Sequence, residues 1–235
     1  ILSSNNGYIL AHVSLAYLYH VGIYLPKNIQ KSIHLYKEAS SFNNQYAKNN
    51  LGVIYMRGIE NEVEKNLGAS IVYFNEAIEH GNDIPSMFNL ANLYLFEEPI
   101  ENSISKSIEL LIKLISQTTI KNGLFVSFLG LALIKKYGFN YEKINTEILN
   151  HSNNSDVLAN LTIDIIRNYN LYSIYELENM YNYYKIRNIL YDFNGSAVLV
   201  INDKFYTKCQ NTDENQNKNI ISSDFYEGFG NDLLK

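Results

Sequence analysis

Apolar and polar positions along this chain recur at helical spacing, and the same spacing returns at intervals of about 36 to 39 residues. Ala11-xxx-Leu15-Ala16-xx-Tyr19-xx-Gly22 is followed by Ala47-xxx-Leu51-Gly52-xx-Tyr55-xx-Gly58 and by Ser86-xxx-Leu90-Ala91-xx-Tyr94. Between these blocks a second pattern returns as Ser32-Ile33-xx-Tyr36-xx-Ala39, Ser70-Ile71-xx-Phe74-xx-Ala77 and Ser107-Ile108-xx-Leu111-xx-Leu114. Each period therefore predicts two amphipathic helices. At 3.6 residues per turn Ala11, Leu15 and Tyr19 share one face, which makes them the expected buried stripe. The small residues beside the leucine (Ala16, Gly52, Ala91) let a neighbouring backbone come close, and Gly22 and Gly58 stand where a helix should end in a left-handed turn. Gly81-Asn82-Asp83 and Pro85 punctuate the passage from the second copy to the third.

Later copies keep the spacing where identity fades. Phe125-xxx-Leu129-Gly130-xx-Leu133, Val157-xxx-Leu161-Thr162-xx-Ile165 and Ala197-xxx-Ile201-Asn202-xx-Phe205 read as a fourth, fifth and sixth first helix. After a polar loop, Gln210 to Asn217, Lys218-Asn219-Ile220 echoes Lys31-Ser32-Ile33, and Gly230-Asn231-Asp232 echoes Gly81-Asn82-Asp83. Ser3 precedes Ala11 by the eight residues that separate Ala39 from Ala47, so the chain is expected to begin at the end of a second helix and to be part of a longer array. The expectation is one all-α repeat solenoid over residues 1–235, about six helix pairs, better matched over 8–118 and degenerate over 119–235. A rival local reading makes Val198 to Ile201 and Lys204 to Thr207 a hairpin about Asn202-Asp203; the repeat register favours a helix there.

Composition narrows the partners. With 19 Lys+Arg against 24 Asp+Glu, a net charge of -5 and no basic run, the chain lacks the electrostatic footprint of a nucleic-acid binder. Its most apolar stretch, Gly123 to Ile134, is about 12 residues long, short of the roughly 20 needed to cross a bilayer. The single Cys209 excludes an internal disulfide framework, and no leader-like segment follows Ile1. Asparagine makes up 33 of 235 residues, Tyr 20 and Trp none, a bias read here as a mark of AT-rich coding. Sequons at Asn150, Asn153, Asn160 and Asn194 occur at about the rate that bias produces by chance, and permit a luminal location without arguing for it.

Chemistry-bearing patterns are scarce. None of His12, His20, His34, His80 and His151 sits in a zinc-binding spacing. His34 and Glu38, four apart, read as a solvated helix pair, and Glu60, Glu62 and Glu64 as a loop charge run. Gly228-x-Gly230 lacks the rest of a dinucleotide fingerprint, and no nucleophile elbow or phosphate loop occurs. No catalytic, cofactor-binding or metal-ligating residue is assigned, and an enzyme is the minority reading.

The pattern A-xxx-LG-xx-Y-xx-G followed by K-[AS]-xx-x-[YF]-xx-A resembles the Sel1-like repeat (SLR), a relative of the tetratricopeptide repeat. The copies Ala11 to Ala39 and Ala47 to Ala77 carry the resemblance best. The family's G-x-G after the tyrosine is reduced to one Gly in the first two copies and is lost in the third at Glu97. The resemblance implies a right-handed αα superhelix, a scaffold or adaptor whose concave side holds other proteins or peptides. Good repeats followed by degenerate ones are also similar to the luminal adaptor of an endoplasmic-reticulum-associated degradation ubiquitin ligase, which implies a membrane ubiquitin ligase complex as partner. Bacterial members imply instead a secreted or periplasmic host-interaction protein.

In a solenoid the first-helix ridge lines the extended binding surface. Taking Ala11, Leu15 and Tyr19 as core, that ridge is Val13, Tyr17 and His20, then Asn49, Val53, Met56 and Arg57, then Phe88, Asn92 and Leu95. The alternative is that Tyr17, Phe88 and Leu95 only pad the packing between repeats. If the ridge binds, alanine at Tyr17, Met56 and Arg57 should leave the melt nearly unchanged, whereas Tyr55→Ala should cost about 3–5 kcal/mol.

Overall fold

Asparagine opens half of the described helices. The side-chain oxygens of Asn28, Asn44, Asn66 and Asp83 each accept from the backbone N–H three residues on at 2.9 Å. Asn140 does the same for Lys143 at 3.1 Å. Each satisfies a donor that the first helical turn cannot. In the computed structural model, which describes residues 2–97, 102–117, 123–151, 186–191, 197–201 and 204–207, these caps open helices α2 to α5 and α8. The full order is α1 (Leu2–Val21), α2 (Ile29–Ser41), α3 (Gln45–Arg57), α4 (Leu67–Gly81), α5 (Ile84–Phe96), α6 (Ser103–Gln117), α7 (Gly123–Tyr137), α8 (Tyr141–His151), β1 (Ile186–Tyr191), β2 (Ala197–Ile201) and β3 (Lys204–Thr207).

Among the described residues, the non-glycine residues at positive φ are Asn43, Asn61, Asn82 and Asn102. A short amide side chain tolerates that region better than most. Part of the asparagine excess thus serves turns and caps. Gly22 and Gly58 end α1 and α3 as expected, at φ 76° and 66°, with their N–H groups donating to Leu18 and Ile54 carbonyls at 2.9 Å. At the next boundary Asn82, not Gly81, takes the left-handed turn (φ 50°, ψ 44°) before Asp83 caps α5.

The helices fall into two compact units divided between Leu90 and Ala91, within α5. In the first, α1 packs on α2, α2 on α3 and α3 on α4. Val13 and Ala16 of α1, Tyr36 and Ala39 of α2, and Leu51 and Ile54 of α3 share one buried cluster. In the second, α6 packs on α7 and α8 touches both. Leu111, Leu129, Leu133, Ile144 and Ile148 are buried there, and the Phe96 and Phe128 rings meet edge to face at 6.0 Å between centroids.

Over α1 to α8 the expected all-α helix pairs are what the structure shows. Two expectations are corrected. α1 runs unbroken from Leu2 to Val21, so no second helix ends at Ser3; nothing like the Asn43-Asn44 turn that parts α2 from α3 interrupts it. The sixth copy is not a helix: β1, β2 and β3 form a three-stranded sheet in that order, and the hairpin reading of 198–207 holds. Two residues part β2 from β3, a span that only an antiparallel pair can bridge. The β-branched and aromatic run Ala197-Val-Leu-Val-Ile and Lys204-Phe-Tyr-Thr explains the outcome, since such residues prefer the pleated backbone and the i, i+4 register alone cannot hold them in a helix. The fifth copy at Val157, the sequons at Asn153, Asn160 and Asn194, Cys209 and Gly228-x-Gly230 lie outside the described residues.

Candidate functional site

In the second and third copies the small residue of the first helix meets the serine of its own second helix. Ser70 Oγ on α4 donates to the Gly52 carbonyl at 2.8 Å, and Ser107 Oγ on α6 donates to the Ala91 carbonyl at 2.8 Å. A Cβ on Gly52 would stand 2.5 Å from Cε1 of the fully buried Phe74. In the third copy Lys106 Nζ sits 5.4 Å from the centre of the Tyr94 ring, as Lys31 does over Tyr19 in the first. These contacts fix the pitch of each helix pair and leave most of the first helix enclosed.

That enclosure changes the expected ridge. Val13, Tyr17, Asn49, Val53, Met56, Phe88, Asn92 and Leu95 are all buried within the chain, while His20 and Arg57 keep part of their surface. The padding alternative therefore describes eight of the ten residues, and His20 and Arg57 are what the ridge offers to solvent. The stripe assigned to the core shifts as well. Ala47, Leu51, Leu90 and Leu129 are buried, but Ala11 and Leu15 are exposed and Tyr19 is half-buried. Tyr55 is likewise half-buried and stacks on Tyr73, ring centres 5.7 Å apart and planes 5° from parallel.

Beneath the ridge runs a polar seam. Asn49 Oδ1 accepts from Asn89 Nδ2 at 2.8 Å and from Ser86 Oγ at 3.1 Å. Asn49 Nδ2 donates to Asn50 Oδ1 at 3.1 Å, and Asn50 Nδ2 donates to Tyr36 Oη at 3.0 Å. All five residues are buried, and burial pushes the Tyr36 hydroxyl pKa up, partly offset by the Asn50 hydrogen bond. The seam links α2, α3 and α5. A buried amide left unpaired costs about 1–3 kcal/mol, so the seam penalises any slip of one repeat against the next. Asn49 is thus a pin rather than a recognition group. A signal for it existed in the sequence: asparagine disfavours helix interiors, yet Asn50 and Asn89 stand in them one period apart, each just before the buried leucine, and Asn49 adjoins the first.

At the end of the ridge three basic groups converge from three segments. Burial, then the charge of Arg57, then that of Lys27, lower the His20 pKa from 6.5 to about 4. Its Nδ1 is shut off from solvent without a hydrogen-bond partner, and its ring meets Tyr36 edge to face at 6.5 Å. Lys27 is exposed. Glu60, Glu62 and Glu64 line an open cleft of about 510 Å³ with Arg57 and Lys65, consistent with a loop charge run.

The pair His34 and Glu38 forms as expected, at 3.5 Å, but a residue that sequence spacing could not supply joins it. His12 Nε2 on α1 lies 3.5 Å from the same Glu38 oxygen. Among the described residues no group of three His, Cys, Asp or Glu side chains could hold a metal ion, and no helix is long and apolar enough to cross a membrane.

Comparison with known proteins places this arrangement. The Sel1 repeat family model matches residues 9–41, 45–82 and 84–118. Two similar solved structures are a Sel1 repeat protein from Oxalobacter formigenes (21% identity, TM-score 0.48, over 66% of this chain and 62% of that one) and a protective antigen of uropathogenic Escherichia coli with an SLR fold (18% identity, TM-score 0.49, over 75% and 44%). The chain thus spans less than two thirds of either neighbour's length. No curated protein matches the sequence.

Proposed function

We propose that this chain, whose residues 9–118 are three Sel1 repeats, is a protein-interaction scaffold that meets its partner at the half-buried end of the first-helix ridge, around His20 and Arg57. The observation that carries the scaffold reading is the run of three successive family-matched copies, a family suited to protein interaction. The location of the site rests on burial: of the ten ridge residues, these two retain solvent contact, and exposed Lys27 adds charge and reach beside them. Arginine is enriched at protein interfaces and among their hot spots. Binding, not turnover, is the activity proposed.

A finer assignment, the adaptor of an endoplasmic-reticulum-associated degradation ligase, rests on sequence resemblance alone. Affinity purification from the source cell tests both levels. With Arg57→Ala and Lys27→Ala combined, the co-purifying chains should fall away while the thermal melt is unchanged. Undiminished recovery from the double variant would remove the site. A membrane ubiquitin ligase among the lost partners would support the finer assignment, and its absence from them would reject it.

A further inference from the structure

The basic groups at the ridge end come from separate segments: His20 near the end of α1, Lys27 in the loop that follows, and Arg57 in the last turn of α3. The loop after Gly22 doubles back. A Cβ on Gly22 would stand 2.9 Å from Lys27 Cβ, and the Asn28 N–H donates to the Tyr19 carbonyl at 2.9 Å. Lys27 is thereby held beside the end of α1 while staying exposed. His20 rests edge to face on Tyr36 of α2, and its Nδ1 finds no partner in the chain. The charges that reach its ring, those of Arg57 and Lys27, are both positive. Glu60, Glu62 and Glu64 share a cleft with Arg57 and Lys65 rather than with His20 or Lys27. Nor is Arg57 on the open flank of an array, since α2 and α4 both pack on α3.

We propose that the segment received at this ridge end is acidic, a stretch of the partner protein whose Asp or Glu carboxylate lies between Lys27 and Arg57 with His20 behind them. The inference rests on the scaffold reading above and gives its partner a chemistry. Charge complementarity names the occupant: cations gathered at one spot of a chain with net charge -5. A chain-terminal carboxylate is captured by free backbone amides, but the N–H groups of Gly22 and Gly58 already donate to Leu18 and Ile54 carbonyls at 2.9 Å. The donors offered here are side chains, which suit an acidic side chain.

A capped peptide of alternating Asp and Ser is the probe, and its Asn-for-Asp counterpart the control. Titrated into the 235-residue chain, the Asp peptide should bind saturably, shift the resonances of His20, Lys27 and Arg57, and weaken as salt is raised. Its carboxylates offset the two cations, so the His20 imidazole should titrate at higher pH in the complex than alone. Lys27→Glu should weaken binding about fivefold or more. Lys113→Glu, the same change of net charge at an exposed position of α6, should leave it within about twofold. Both lysines are exposed, so both variants should melt with the parent. Equal binding of the two peptides, equal losses from the two variants, or a His20 titration unmoved at saturation would overturn the inference. So would failure of the Asp peptide to bind; co-purification with Arg57→Ala and Lys27→Ala would then still decide the scaffold site by itself.

Discussion

Ser70 and Gly52 are joined by a 2.8 Å hydrogen bond from the serine hydroxyl to the glycine carbonyl, and Ser107 repeats the bond on Ala91. Two separate motifs, the small residue of the first helix and the serine that opens the second, are therefore two halves of one contact. The bond needs the backbones close, and closeness needs the missing or short side chain.

Gly52→Ala should accordingly destabilise. Its new methyl would have to displace the Phe74 ring, and overpacking a full core costs about 1–3 kcal/mol. Ser70→Ala removes the buried donor and should cost about 1 kcal/mol. Chemical denaturation of the two single variants and the double variant checks both; the double should fall short of the sum, because Gly52 and Ser70 share the contact.

Asn49→Ala should be more damaging than its size suggests. It removes at once the hydrogen bonds that Asn89, Ser86 and Asn50, all buried, make with Asn49, at about 1 kcal/mol each. A loss below about 0.5 kcal/mol in urea unfolding would show that the seam does not pin the repeats.

Alanine at Tyr17 or Met56 should lower stability by about 2–5 kcal/mol, since both are buried. Arg57→Ala should stay within about 0.5 kcal/mol. The expectation that all three leave the melt unchanged thus survives for Arg57 alone. Tyr55→Ala should cost less than a full core aromatic, because the ring is half-buried against Tyr73.

His20 binds its proton less readily folded than unfolded, with its pKa lowered from 6.5 to about 4 by burial and by Arg57 and Lys27. The unfolded chain therefore takes up more protons between these values, so stability is full above about 6.5 and falls as pH drops toward 4. For a partly exposed ring the loss should be roughly 1–3 kcal/mol. His20→Gln should flatten that part of the stability-versus-pH curve, and NMR titration of the imidazole reads the pKa directly.

Helix pairing was legible in the sequence because it is written in a repeated i, i+4 pattern, and the glycine stops at Gly22 and Gly58 followed from the same register. Burial was not. In a stacked array both sides of a first helix are covered, so Val53 and Met56 are as buried as Leu51, and a single-stripe reading divides core from ridge where no division exists. The polar seam eluded a hydrophobicity pattern because Asn49, Asn50 and Asn89 are buried by mutual hydrogen bonding. His12 reaches Glu38 across two helices, a contact that no local spacing encodes. At the far end, the repeat register carried the helix reading into β2 and β3, where β-branched residues decide the backbone.

The scaffold account is tested most directly by placing a photo-crosslinking residue at position 57 and, separately, at exposed Val72, in the source cell. The account predicts discrete crosslinked partners from position 57 that are absent from position 72. Equal products from both positions, or none from 57 while the protein stays folded, would contradict it.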